Sequence, residues 1–329
     1  MKKRMLALGL FIWLFVLPVL PVTAGSLAVD PKTAMVELIS QLHSYAQQKQ
    51  PGFYLLTNNG LGLYSSEDGS DPALAVRMLQ SIDGIVLEEF SYGWELKEDT
   101  APPRAVQKAM LAQLHPTLAA GLPVFNIDYC QLKKHRDISY RQSGAQGFIN
   151  YAAERRALNK IPQGTVPNEN QAAVNTLAAA KNFLVLLNPE LFADKSSYLA
   201  ALSQSNYDLL IIDPMYNGEF LSAADLRQLQ HKPGGARRLV VAYMSVGEAE
   251  DYRPYWQCQW EVLPPEWLET ENKDWQGNYK VKYWHPGWQQ QLYGSETAAL
   301  DQIIRAGFDG AFLDVVDAYQ YFVDQAQLQ

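Results

Sequence analysis

Two stretches far apart in the chain share one pattern: Asp83-Gly84-Ile85-Val86-Leu87-Glu88 and Asp309-Gly310-Ala311-Phe312-Leu313-Asp314. In each, Asp-Gly opens a short apolar run that closes on a carboxylate. Equal spacing gives Glu88 and Asp314 equivalent places at the ends of two strands. Two facing carboxyls are the minimal equipment for breaking a glycosidic bond, because one must stay protonated for the leaving oxygen while the other stays charged to attack the sugar or activate water. Other apolar runs also end on acids: Asn126-Ile127-Asp128, Ile211-Ile212-Asp213 and the stretch entering Gly247-Glu248-Ala249-Glu250, with Asp317 just past Asp314. A lone acid at a strand end usually caps the next helix or ties a loop. Five acidic strand ends in one fold are harder to explain that way, since clustered carboxylates raise one another's pKa.

Aromatic side chains crowd the same regions. Tyr243 to Trp256 and Tyr283-Trp284-His285-Pro286-Gly287-Trp288 are dense in rings that can stack on sugars, although any single ring is more often core. Arg253 suits a ligand or an ion pair with Glu248 or Glu250. Other chemistries lack their parts. His43, His115, His135, His231 and His285 form no HxH or HExxH pair, so no metal site is expected. There is no GxxxxGK phosphate loop and no GxSxG elbow, and no cofactor is expected.

These residues need a scaffold that brings strand ends together. Eight β-rich runs alternate with helical stretches: Phe53–Thr57, Gly84–Glu89, Pro123–Asp128, Gly147–Tyr151, Phe183–Leu187, Asp208–Asp213, Leu239–Met244 and Asp309–Asp314. Helix signals lie between them, among them Asp71-Pro72, Ser222-Ala223-Ala224-Asp225, and Ser295 opening a helix that Gly307 stops. This spacing predicts an α/β fold, a single (β/α)8 TIM barrel, with the chemistry at the carboxyl ends of the strands. The alternative, a doubly wound open sheet, lacks any GxGxxG at a helix start. The chain after the signal segment opens with a helix, not a strand, whose Met35, Ile39, Leu42 and Ala46 share one face, and it ends soon after the eighth strand. The helix is therefore expected to close the ring between strands eight and one, aided by Tyr319–Leu328.

Residues 1–24 read as a signal peptide: Lys2, Lys3 and Arg4, an apolar stretch, then Pro18, Pro21 and the small residues before Gly25. The competing reading is an uncleaved anchor. Residues 25–329 are then expected to form the barrel, exported to a periplasmic or secreted location, with no stable membrane insertion after cleavage. Lys and Arg number 27 against 35 Asp and Glu, a net charge of −8. That balance argues against a nucleic-acid partner and suits a neutral or cationic ligand. Cys130 and Cys258 are compatible with one disulfide or with two free thiols.

At these motifs the sequence resembles the endo-α-1,4-polygalactosaminidase-type barrels of glycoside hydrolase family 114. The resemblance rests on Asp208–Pro214, Ala242-Tyr243 through Arg253, Tyr283–Trp288, Gly307–Asp309 through Tyr319, Pro51-Gly52-Phe53 through Asn58-Asn59-Gly60, and Ile82-Asp83-Gly84 through Glu88. The order of blocks differs from the family's usual one, because the asparagine-glycine and DGxxxE strands come first here. This looks like a circular permutation cut after the Phe312-Leu313-Asp314 strand, which leaves the spatial order of strand ends unchanged. The resemblance implies that Asp314 and Glu88 are the catalytic pair, with Asp314 as nucleophile or electrostatic partner and Glu88 as acid/base, or the reverse. Glu89 takes the place of Glu88 if the register slips by one. Asp213, Tyr243, Glu248 and Asp317 match recurrent pocket residues, and Asp128, Arg253 and Trp284 complete the expected substrate-binding set.

The expectation is an exported glycoside hydrolase, endo-acting on an α-linked galactosamine-type polysaccharide. The alternative is a non-catalytic carbohydrate-binding or matrix-assembly protein on the same barrel, which a carboxyl separation beyond about 9.5 Å would favour.

Overall fold

In the computed structural model, which describes residues 29–66 and 69–327, eight parallel strands form one curved sheet. They are β1 (Tyr54–Asn58), β2 (Gly84–Glu88), β3 (Val124–Tyr129), β4 (Ile149–Ala153), β5 (Phe183–Leu186), β6 (Leu209–Ile212), β7 (Leu239–Ser245) and β8 (Gly310–Asp314). Their order around the sheet is β4-β3-β2-β1-β8-β7-β6-β5. β4 lies against β5 without a hydrogen-bonded ladder, so the ring of the (β/α)8 barrel closes there by packing. The strands are buried along almost their whole length, as parallel strands covered by helices must be. Asp30 caps α1 (Pro31–Lys49) by accepting from the Thr33 amide at 2.8 Å.

The ring-closing helix stands where the sequence puts it. α1 packs between α2 (Pro72–Leu79), which follows β1, and α8 (Ala299–Ala306), which precedes β8, and α9 (Tyr319–Gln327) lies along it. Met35, Leu38, Ile39 and Leu42 of α1 are fully buried. Pairing β1 with both β2 and β8, with Leu56 opposite Gly84 and Phe312, brings the chain's two Asp-Gly strands to either side of β1.

Three features were not legible beforehand. α8 begins at Ala299 rather than Ser295; the Ser295 hydroxyl pairs with Thr297, and Asp301 turns back to accept from the Gly294 amide. After β7 the chain leaves the barrel to form an antiparallel sheet of Glu248–Glu250, Leu268–Glu271 and Asn278–Val281. A short hairpin, Met215–Tyr216 with Glu219–Phe220, follows β6. Cys130 is buried and Cys258 exposed, and both are free thiols. The signal-peptide segment lies outside the described residues. Among the described residues no helix is long and apolar enough to cross a membrane.

Candidate active site

Glu88 and Asp314 end β2 and β8, and β1 between them supplies the group that joins them. The Asn58 side-chain amide donates to Asp314 Oδ1 at 2.8 Å and to Glu88 Oε2 at 3.5 Å. The two oxygens sharing that nitrogen are no farther apart than the sum of those distances, well inside the roughly 9.5 Å that a glycosidic bond can span. Tyr129, ending β3, donates its hydroxyl to Glu88 Oε1, and Asn59 both donates to Glu88 Oε2 at 3.4 Å and accepts its amide at 3.0 Å. Asp314 accepts from the Tyr243 hydroxyl at 3.0 Å and from the Val315 amide at 2.8 Å. Each acid is followed by a residue in left-handed backbone, Glu89 with φ 61° and Val315 with φ 60°. For a β-branched valine this is a strained conformation, held by the surrounding structure. The repeated pattern seen in sequence thus ends in the same sharp turn twice, aiming both carboxyls into the mouth.

Both carboxyls are removed from water. Burial, with the Glu88 charge adding to it, pushes Asp314 up to about 8, against the Asn58 hydrogen bond. Burial also raises Glu88, but Tyr129, the Arg156 cation, Asn58 and Asn59 pull it back. Two carboxyls this close titrate as a coupled pair, not independently.

Two ion-paired clusters flank the pair. Arg253 donates from Nη1 to Asp213 Oδ1 at 3.0 Å and from Nε to Glu250 Oε2 at 2.6 Å. Glu250 Oε1 also accepts from Tyr252 at 2.7 Å and Tyr243 at 3.2 Å, so Tyr243 links this cluster to Asp314. On the other flank, Glu248 pairs with Lys280 and accepts from Asn272 at 2.7 Å and Asn278 at 3.3 Å. Beside it Asp317 is driven up to about 7 by burial, with Lys280 opposing and Glu248 reinforcing the shift.

Of the sequence-predicted residues, Glu88, Asp314, Tyr243, Arg253 and Asp213 share one hydrogen-bonded network, and Glu248 and Asp317 lie beside it, coupled through charge. Arg253 serves Glu250 and Asp213 rather than Glu248. Asp128 and Trp284 stand apart. Asp128 projects toward α4 (Lys133–Ala145), where it accepts from the Ser139 hydroxyl at 2.6 Å and the Ser91 and Tyr92 amides at 2.9 and 3.2 Å. Strand alternation explains this: Asn126 and Asp128 share the outer face with Asn150, forming a polar seam under α4, while Tyr129 takes the inner face. The Trp284 ring packs on Tyr283 and Phe322, at 5.0 and 4.7 Å. Sequence reasoning missed Asn58, Tyr129, Arg156 and Lys280, and it offered Glu250 only as an ion-pair partner of Arg253, which it is. The alternation of β3 could have found Tyr129, and adjacency of β1 to both acids could have found Asn58. Among the described residues no group of three or more His, Cys, Asp or Glu is arranged to hold a metal ion.

A barrel with a buried carboxyl pair over the carboxyl ends of its strands has the architecture of the glycoside-hydrolase class. The sequence model described as Glycoside-hydrolase family GH114 matches residues 165–329, half of the chain, and the protein belongs to that family. An uncharacterized protein of Methanocaldococcus jannaschii is 40% identical over 127 residues, covering 37% of this chain and 34% of its own length. One from Deinococcus radiodurans is 37% identical over 160 residues, covering 48% of each. The chain thus spans about half, or less, of the length of these curated relatives. The solved complex of Aspergillus fumigatus Ega3 with galactosamine is similar at 23% identity and a TM-score of 0.29, over 48% of this chain and 51% of that one.

Proposed function

We propose that this protein is an exported glycoside hydrolase, endo-acting on an α-linked galactosamine-type polysaccharide, with Asp314 and Glu88 as its working pair. The observation that carries the reading is the single Asn58 amide hydrogen-bonded to both carboxyls, which supports their acting on one bond. Asp314, protonated at rest, gives its proton to the leaving oxygen; Glu88, held charged by Tyr129 and the Arg156 cation, attacks the sugar or activates water. This takes the second of the two role assignments left open by the resemblance. The acids around the mouth, partly offset by Arg253, Lys280 and Arg156, suit a cationic, partly deacetylated polymer. Export rests on the basic and apolar leader, and endo-action and sugar identity rest on the family resemblance. A permuted chain would meet a linear family model over only part of its length, and the match limited to residues 165–329 supports that view.

A carboxyl separation beyond about 9.5 Å would have favoured the non-hydrolytic alternative, and the shared Asn58 weighs against it. The decisive test incubates purified protein with a panel of amino-sugar polymers and follows new reducing ends and fragment length. Asp314→Asn and Glu88→Gln should each remove at least about 10³ of the rate, as loss of a nucleophile or general acid does, with the melting transition retained. Full activity in both variants would end the assignment. A Glu88→Gly variant restored by azide would identify Glu88 as the charged partner.

A further inference from the structure

Arg156 lies just past β4, outside every motif the sequence singled out, yet its side chain returns to the barrel mouth. Its guanidinium carbon sits 3.9 Å from the centre of the Tyr129 ring. It is ion-paired with Glu89 and donates from Nη2 to the Gly93 carbonyl at 2.7 Å. The Tyr129 hydroxyl in turn donates to Glu88. Arg156 therefore holds three things at once: the residue after the acid, the loop beyond it and the ring that hydrogen-bonds the acid.

A purely structural arginine would be expected to use its donors fully. Here Nε and Nη1 are buried with no hydrogen-bond partner among the described residues, and the side chain is only 12% exposed. Unfilled buried donors are costly, about 1–3 kcal/mol each. A neutral side chain under Tyr129 would avoid that cost, but it would also remove a cation that pulls the Glu88 carboxyl down against its burial. Glu89 next to it is itself raised by burial to about 8, with Arg156 opposing.

We infer that Arg156 is a positioning residue, which acts through its stack on Tyr129 and its proximity to Glu88 to fix that carboxyl's orientation and charge. It touches no reacting atom. The inference rests on the reading of Glu88 as a working carboxylate. Groups facing Glu88 come from several elements: Tyr129 on β3, Asn58 and Asn59 at the end of β1, Asp314 on β8, Asp317 beyond it, and the neighbouring Glu89–Arg156 pair. Of these only Arg156 is cationic, so its removal raises the Glu88 pKa.

The test follows the Glu88 side-chain carbon by ¹³C NMR across pH in protein labelled at the glutamate carboxyl carbon, with Glu88→Gln assigning the signal. In Arg156→Gln the Glu88 titration should move up by about one pH unit, and in Arg156→Lys, which keeps the charge, by less than half of that. Because Arg156→Gln leaves Glu89 unpaired, Glu89→Gln/Arg156→Gln is measured beside it and should give the same upward shift. If polymer cleavage is observed, the acid limb of kcat/KM should move with the titration. A Glu88 titration unchanged in both Gln variants overturns the inference, whatever happens to activity. A shifted titration in a protein whose Glu88→Gln form cleaves polymer at the native rate keeps the positioning role and ends the hydrolytic reading instead.

Discussion

Asp314 is held out of water beside a second acid, and that arrangement has a thermodynamic consequence separate from catalysis. Its carboxyl titrates near 3.8 when unperturbed and at about 8 in the fold. The native state therefore binds this proton more tightly than the unfolded chain, and native stability falls as pH rises through that window. Asp314→Asn abolishes the effect without disturbing the contacts: the retained oxygen still accepts from Asn58 and Val315, and Tyr243 can donate to Glu250 instead. We expect Asp314→Asn to melt above the native protein at pH 8 and higher, with the difference shrinking toward pH 4. Melting curves across pH check this, and a constant offset would contradict the raised carboxyl. The two acids themselves were readable from a repeated six-residue pattern. Their partners were not, because Asn58, Tyr129 and Arg156 are ordinary residues in sequence and acquire meaning only from which strands stand side by side. Asp128 matched the acidic-end pattern equally well and faces the opposite way, since a one-residue difference in where a strand ends reverses the side chain.

The turns at the strand ends are the elements that convert this pattern into a site. Gly93, in the loop after β2, has φ 125°, and a methyl group there would fall 2.7 Å from Glu89 Cγ and 2.8 Å from Tyr129 Cδ2. The Gly93 carbonyl accepts from Arg156, and its amide donates to the Thr100 carbonyl at 2.8 Å. Gly121 also has a positive φ, 74°, but a methyl would meet nothing within 4 Å. Gly121→Ala should therefore cost only the left-handed strain, about 1 kcal/mol, and leave turnover intact. Gly93→Ala adds a clash with Glu89 and Tyr129; we expect about 2–3 kcal/mol of lost stability and at least a tenfold fall in kcat/KM. Denaturant unfolding and steady-state rates on the two variants separate strain from displacement, and equal behaviour would remove Gly93 from the machinery. Alternation of strands and helices was plain in the sequence, as were the caps at Asp71 and Ser222. The antiparallel excursion that supplies Lys280 was hidden, because Glu248–Glu250 and Asn278–Val281 are short, polar and separated by a long irregular stretch.

At the scale of the whole barrel, the site is assembled from opposite ends of the chain, and the ring must be shut for it to exist. The closure is uneven. On the β8–β1–β2 side every neighbour is joined by a ladder, with Tyr54 to Thr57 paired to Gly310 through Leu313, and α1 covers the join with fully buried apolar side chains. On the far side β4 and β5 touch but share no ladder. That seam is bridged above by the segment after β4, where the Leu158 carbonyl accepts from the Leu187 amide at 2.9 Å and Asn188 donates to the Ala157 carbonyl at 2.7 Å. Arg156 belongs to the same bridging segment. Where inter-strand bonds are missing, local opening needs less free energy than global unfolding, so amides of β4 and β5 should exchange faster than those of β1, β7 and β8. If the bridge also sets Arg156 over Tyr129, Asn188→Ala should speed exchange at the seam and lower kcat/KM, while β1 amides keep native protection. Hydrogen exchange read by mass spectrometry on both proteins checks this. Uniform protection around the ring would mean that packing alone closes β4 onto β5 as firmly as hydrogen bonds close β1 onto β8.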